Sequence, residues 1–192
     1  MPEGTVHKNV REQLIIAGIQ EINKYGLQSF SIRRIANECG VSCAAPYKHF
    51  KDRQSFIAAI IDYINRQWAE RQQKILEAFP NDTRKLLVET SLDYVRFLVE
   101  NPHYRSIIML KDEEFDSEYT NLRGRISGLS QELIKRYCKE ANMPEDSEKR
   151  KTYIVRSLIY GASLMFDNGE MEYNEENMRF VEISIDREFD LP

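Results

Sequence analysis

The chain has 192 residues, 42% of them hydrophobic and 30% charged, with a formal net charge of −4. That length can bury a real core in one domain or two small ones, and the composition is that of a globular protein, not of a disordered or fibrous one. The longest apolar-leaning run, Leu158 to Phe166, is far too short for a bilayer span, which needs about 20 residues; with no apolar signal region at the start, a cytoplasmic protein without a membrane partner is expected.

Charge is unevenly spread. Residues 1–66 carry +3, residues 67–166 carry zero, and residues 167–192 carry −7. Basicity confined to one end suits an electrostatic footprint on DNA, with the acidic tail far from it. The excess is modest, so dimerisation is expected to supply affinity. The 3 cysteines, an odd count without a secretion signal, read as reduced thiols.

In chain order, Met1 to Thr5 form an arm. Val6 to Tyr25 form a helix with two apolar stripes, Val10, Leu14, Ala17 and Ile15, Ile19, Ile22, which predicts burial on most sides. Ser31 is a helix N-cap, followed by Ile32, Ile35 and Ala36 at helical spacing. Gly40 ends that helix in the left-handed conformation open to glycine. Val41 plugs the corner, and Ser42 caps a second helix running to about Phe50. Two short helices joined by a tight turn containing glycine make a helix-turn-helix, whose second helix enters the major groove.

Asp52 caps a long helix from Arg53 to Phe79, which Pro80-Asn81-Asp82 ends. Helices follow at Thr83–Glu100, His103–Leu110, Phe115 or Asp116 to Ala141, Ser147–Asp167 and Asn174–Arg187. The expected fold is all-α with about nine helices. Residues 1–52 are expected to form the helix-turn-helix domain and residues 53–192 a helical bundle.

The pattern Ser31, Ile32, Ile35, Ala36, Gly40, Val41, Ser42, Tyr47, His49, Phe50 and Arg53 resembles the DNA-binding domain of TetR-type transcription regulators. Tyr25-Gly26 closes the preceding helix as in that family, and Ala44-Ala45-Pro46-Tyr47 is similar to one subset of it. The resemblance implies a dimer on a palindromic operator of double-stranded DNA and a C-terminal domain that senses a small effector. It also implies that Ser31, Tyr47 and His49 donate to phosphates.

Ser42, Cys43, Ala44, Ala45, Tyr47, Lys48, His49 and Lys51 are therefore the candidate DNA contacts beside Ser31. Cys43, Ala44 and Ala45 are too short for paired hydrogen bonds to a base and suit apolar contact with thymine methyls. Lys8 and Arg11 could reach phosphates or merely face solvent. Aromatic and sulfur side chains beyond residue 67 are numerous for a small bundle. Trp68, Tyr94, Phe97, Met109, Phe115, Tyr119 and Tyr160 are candidate pocket residues with Arg105 as a polar anchor, ordinary core being the alternative. Asn121 is a second possible anchor. Ile154, Leu158, Met165, Val181 and Ile185 are candidates for the dimer interface.

Enzymatic readings find little support. Glu100 and His103 have the spacing of one di-iron half-site, but Pro102 breaks the helix between them and a second half-site is missing. A zinc site of Cys39, Cys43 and His49 is disfavoured because Cys39 is expected to face the core and Cys43 the DNA, and Asp112-Glu113-Glu114 reads as a solvated loop. No metal or cofactor is expected. The alternatives kept open are a DNA-binding protein without a ligand and, further off, a helical-bundle enzyme.

Overall fold

A computed structural model of the chain describes residues 9–108 and 124–191. Among these residues every regular element is helical: α1 (Val10–Tyr25), α2 (Ile32–Glu38), α3 (Arg53–Ala78), α4 (Thr83–Glu100), α5 (Pro102–Ile108), α6 (Gly124–Glu140), α7 (Ser147–Asp167) and α8 (Glu175–Glu188), with 3-10 turns at Leu27–Ser29 and Pro46–Lys48. The helix expected to begin at residue 115 or 116 is described only from Gly124.

The helix ends follow their caps. Asn9 accepts from Arg11 N at 3.1 Å, and Ser31 accepts from Arg34 N at 3.4 Å. Asp52 and Ser55 cap α3 reciprocally: the Asp52 carboxylate accepts from Ser55 N at 2.7 Å, and Asp52 N donates to the Ser55 hydroxyl at 3.0 Å. Past α2, Gly40 takes φ +67°, Val41 N bonds Ala36 O at 3.0 Å, and Gly40 N bonds Asn37 O at 3.1 Å. This pair of bonds satisfies two carbonyls that the helix end would otherwise leave open.

The chain divides into two compact units. Among the described residues the first holds those up to Asn65 together with His103–Ile108, and the second holds Arg66–Pro102 and Gly124–Leu191. The division falls inside α3, later than the start of that helix. In the first unit, Leu14, Ile15 and Ile22 of α1, Ile35 of α2 and Phe56, Ile57, Ile60, Ile61 and Ile64 of α3 form the core. A Cβ on Gly18 would lie 2.7 Å from Ile60 Cδ1, so α1 comes close to α3 where it has no side chain.

In the second unit α4 is central and packs against α6, α7 and α8. Its Leu86, Leu87, Leu92, Val95 and Leu98 are buried on several faces, as expected of a helix apolar all round. The chain end is tied down by side chains. Lys151 Nζ, fully buried, donates to Glu188 O at 2.6 Å and Leu191 O at 2.7 Å, and Tyr137 OH donates to Phe189 O at 2.8 Å. Burial pulls the Lys151 ammonium below its ordinary pKa, with Glu188 opposing.

Two expectations change. The second helix of the corner, expected over 42–50, is a single 3-10 turn at Pro46–Lys48. Pro46 has no N–H to return to Ser42 O, which accepts from Ala45 N at 2.9 Å instead. The turn's first cap position is Ala45, which offers no side-chain cap, so Ser42 does not cap a helix. Val181 and Ile185, expected on a surface facing a second copy, are 5% and 0% exposed within the protomer. They belong, with Met178 and Phe189, to the stripe that α8 buries in its own unit.

Candidate functional site

The corner is built on a buried acid. Glu21 of α1 is 3% exposed, and its carboxylate accepts from Ser31 N at 3.0 Å and from Arg34 Nε at 2.9 Å. Arg34 also donates through Nη2 to Glu21 and to Ser29 O, and its guanidinium lies over the Tyr25 ring. One carboxylate thus joins α1 to the first turn of α2. An acid near a helix N-terminus also suits the helix dipole. The Arg34 pKa rises through its bond to Glu21. Arg53 of α3 reaches back through Nη2 to Leu27 O.

The segment after the corner is anchored by Phe50, stacked on Phe56 with ring centroids 3.9 Å apart and capped on its other side by the Arg11 guanidinium at 5.5 Å. Burying Phe50 and Pro46 turns the intervening Tyr47, Lys48 and His49 outward. Ser42, Cys43, Ala44 and Lys51 are exposed as well, Ala45 is half-buried, and Ser31 is half-buried at the start of α2. Of the candidate contacts, eight lie on one continuous stretch from Ser42 to Lys51 that carries no acidic side chain except beyond it, at Asp52. Arg11 is committed to Phe50, and Lys8 lies outside the described residues.

Cys39 is half-buried, with its thiol 3.7 Å from Gln13 O, and burial raises its pKa. Among the described residues no cluster of three or more His, Cys, Asp or Glu is placed to hold a metal ion. Glu100 is paired with Arg71 Nη1 at 2.9 Å. Among the described residues no helix is long and apolar enough to cross a membrane.

The second unit brings together four of the expected pocket residues. Trp68 lies 4.9 Å from Tyr94 and 5.3 Å from Phe97 by ring centroid, and Tyr94 meets Tyr160 edge-on at 6.4 Å. The Trp68 indole donates to Ile126 O at 3.0 Å, which ties α3 to α6. Arg105 belongs to the other unit, and Met109, Phe115, Tyr119, Asn121 and the Asp112–Glu114 run lie outside the described residues.

Around the Trp68–Tyr94 pair are three polar atoms that are buried without a hydrogen bond: Gln72 Nε2, Thr90 Oγ1 and Tyr94 OH. Gln72 lies one turn from Trp68 on α3, and Thr90 one turn from Tyr94 on α4. Buried polar groups are almost always paired, and each exception asks for an explanation. Tyr94 and Tyr160 also line a small chamber between α4, α6 and α7 of about 20 Å³, room for about one water. It opens beside a groove of about 550 Å³ between α6 and α7. Gln131, Thr152, Arg156 and Tyr160 line both. Sequence reasoning missed Thr152 and Arg156, although their spacing with Ile159 and Tyr160 on α7 marks one helical face.

Residues 14–60 match the family described as bacterial regulatory proteins, tetR family. The chain is similar to the uncharacterised HTH-type transcriptional regulator YerO of Bacillus subtilis (strain 168), 22% identical over 175 residues, covering 88% of this chain and 60% of YerO. It is 31% identical over 97 residues to the HTH-type transcriptional regulator BetI of Pseudomonas fluorescens, covering 48% of this chain and 49% of BetI. The chain thus spans 60% and 49% of the length of these two curated relatives. In fold it is similar to a protein of unknown function from Rhodococcus sp. RHA1, with TM-score 0.74, 19% identity and 98% of both chains covered. A TetR-family transcriptional regulator from Bordetella parapertussis 12822 aligns with TM-score 0.71, 11% identity and 96% of both chains covered.

Proposed function

The chain belongs, through residues 14–60, to the TetR family of bacterial regulatory proteins, and from that premise we propose that it is a DNA-binding transcriptional repressor. It grips a palindromic operator as a homodimer and releases it on taking up a small molecule. The observation that carries DNA binding is the exposed, acid-free stretch from Ser42 to Lys51, held by the buried Phe50. On this reading Tyr47 and His49 donate to phosphates, which sets register without reading sequence. Ala44 and Ala45 lie against base edges. Lys48 and Lys51 add charge that makes affinity fall with salt.

The dimer is supported by apolar side chains that α7 and α8 leave in solvent. Leu164 on α7 is 49% exposed, and Phe180 and Ile183 on α8 are 62% and 44% exposed. With half-buried Ile154, Leu158 and Met165 they supply the face of a four-helix packing about a two-fold axis. Two-fold symmetry calls for two operator half-sites one helical turn or a multiple apart.

Effector response is supported by the orphaned polar groups of the second unit and by α3, a single helix that contributes residues to both units. A ligand that favours the DNA-incompetent state about 5–150-fold supplies about 1–3 kcal/mol of coupling. By linkage, operator weakens ligand binding by the same factor.

The experiment is selection of operators from a random duplex pool with the full chain, followed by ligand titration with and without the selected duplex. A palindromic enriched sequence and a weaker ligand affinity on operator are expected. No enrichment from folded protein removes the DNA-binding reading. Enrichment with equal ligand affinities leaves a DNA-binding protein without a switch.

A further inference from the structure

The groove between α6 and α7 has chemistry that selects its ligand. Its volume, about 550 Å³, lies within the range of small-molecule sites. Two cations, Lys149 and Arg156, face one carboxylate, Glu148, at its walls. Neither cation is ion-paired among the described residues. The Arg156 guanidinium lies 5.9 Å over the Tyr160 ring, an arrangement that leaves its N–H edge available. Tyr153 and Tyr160 give the groove aromatic surface on either side of Arg156 along α7.

Beneath Tyr160 lies the second, independent observation. Tyr94 is 7% exposed, borders the inner chamber and has a hydroxyl without a hydrogen bond. Burial pushes its pKa well above the ordinary phenol range, with Tyr160 adding to the shift and Arg156 opposing it. At physiological pH it is a neutral donor. The groove thus offers an exposed cation and two tyrosine rings among polar side chains, and the chamber beside it a buried donor.

We infer that this groove binds an amphipathic aromatic monoanion, with the anionic group on Arg156 and the ring against Tyr160, above the chamber that Tyr94 borders. This deepens the reading of the chain as an effector-responsive regulator and rests on it for its biological meaning, but not for its test. Lys149, two turns from Arg156 on the same face, attracts the anion without being its main partner. A neutral molecule of the same shape keeps the ring contact and loses the Arg156 bond. A cation is repelled by both basic groups.

The probe is 1-anilinonaphthalene-8-sulfonate, an aromatic monoanion, compared with N-phenyl-1-naphthylamine, which has the same rings and no sulfonate. The chain has a single tryptophan, Trp68, packed on Tyr94 at 4.9 Å. Energy transfer from its indole to the probe therefore reports binding to the folded full-length protein, and the Arg156 variants assign it to this groove. The sulfonate is expected to bind at least about tenfold more tightly than the neutral amine, as a charge-assisted hydrogen bond commands. Arg156→Gln should abolish that preference, and Arg156→Lys should restore part of it. Arg179→Gln, in the separate surface groove between α4 and α8, should change nothing. Circular dichroism of each variant excludes binding by loosened protein.

Equal affinities for the two probes, or a preference that survives Arg156→Gln, would overturn the inference. So would probe binding without transfer from Trp68. An affinity that falls as protein concentration rises, with dimer formation in sedimentation, assigns the groove to a second copy and also overturns it. Operator binding is scored separately by gel shift. Loss of operator selection with the sulfonate preference intact sinks the DNA reading alone, and the converse sinks this site alone.

Discussion

At Gly40 the fold depends on one backbone angle. A Cβ there would meet no neighbour within 4 Å, so only the φ of +67° opposes a side chain. Gly40→Ala should destabilise by about 1–2 kcal/mol, the cost of the left-handed region for an L-residue. Asn should cost less, since its side chain tolerates that region. A urea midpoint at unchanged slope measures both, and a larger loss for Ala would mean that the corner packs against something further. Tyr47 and Ala45 separate two roles on the proposed DNA edge. Tyr47→Phe removes one hydroxyl and should weaken all operators alike, by about 0.5–1.5 kcal/mol. Ala45→Arg should change which sequence is preferred. Binding to an operator library at fixed salt decides, and a preference that moves with Tyr47→Phe but ignores Ala45→Arg would reverse the assignment.

Between elements, the contact most exposed to solution chemistry joins the start of α4 to the end of α8. Arg84 Nε donates to Asp186 Oδ1 at 2.7 Å, Nη1 to Asp190 Oδ1 at 2.6 Å, and Nη2 to Asp186 O at 3.0 Å. These bonds raise the Arg84 pKa and hold the Asp190 carboxyl below its ordinary value. An acid depressed in the folded state binds its proton more readily in the unfolded one. Its contribution is therefore present above the unfolded pKa of about 3.9 and is lost as pH falls through the lower folded value. Arg84→Gln should destabilise the protein at neutral pH, and its difference from the parent in urea midpoint should shrink as pH drops below about 4. A difference that stays constant through that range would show that Arg84 acts by packing alone. Lysine is a poor replacement, because a single ammonium cannot hold a carbonyl and two carboxylates in the fork geometry of a guanidinium.

For the whole molecule, the proposed dimer places the acidic C-terminal segment and the basic N-terminal segment in separate roles. A face that leaves Phe180 and Leu164 in water favours pairing with a second copy, since large exposed apolar patches mark interaction sites. Leu164→Glu together with Phe180→Glu should yield monomers by sedimentation and weaken operator binding far more than either recognition-edge variant. The same exchange at Val181 or Ile185 should unfold the second unit instead, because a carboxylate buried without a partner is strongly destabilising. Dimers that survive the Leu164 and Phe180 exchanges would move the interface off α7 and α8.

Much of this was legible in the residues. Thr83–Glu100 and Ser147–Asp167 have the bounds read from sequence, because Asp82, Asn101-Pro102, Asn168 and Gly169 act locally as caps and breakers. The first helix of the corner and its turn were legible for the same reason: Ser31, Gly40 and Asp52 impose their geometry on their own neighbours; the second helix, a single 3-10 turn, was not. Three things were decided only by tertiary structure. The partners of Glu21 and Arg84 lie 13 and 102 positions away in the chain, and no local pattern pairs them. Helical spacing identified the stripe Met178, Val181, Ile185, Phe189 but not its direction; α4, apolar all round and hence central, draws that stripe inward and leaves Phe180 and Ile183 outside. The groove at Arg156 lies between α6 and α7, and a gap between helices has no signature in the periodicity of either. A sequence determines which local conformations its caps and side chains favour, whereas the packing of one apolar stripe against another determines which residues remain for a ligand or a partner.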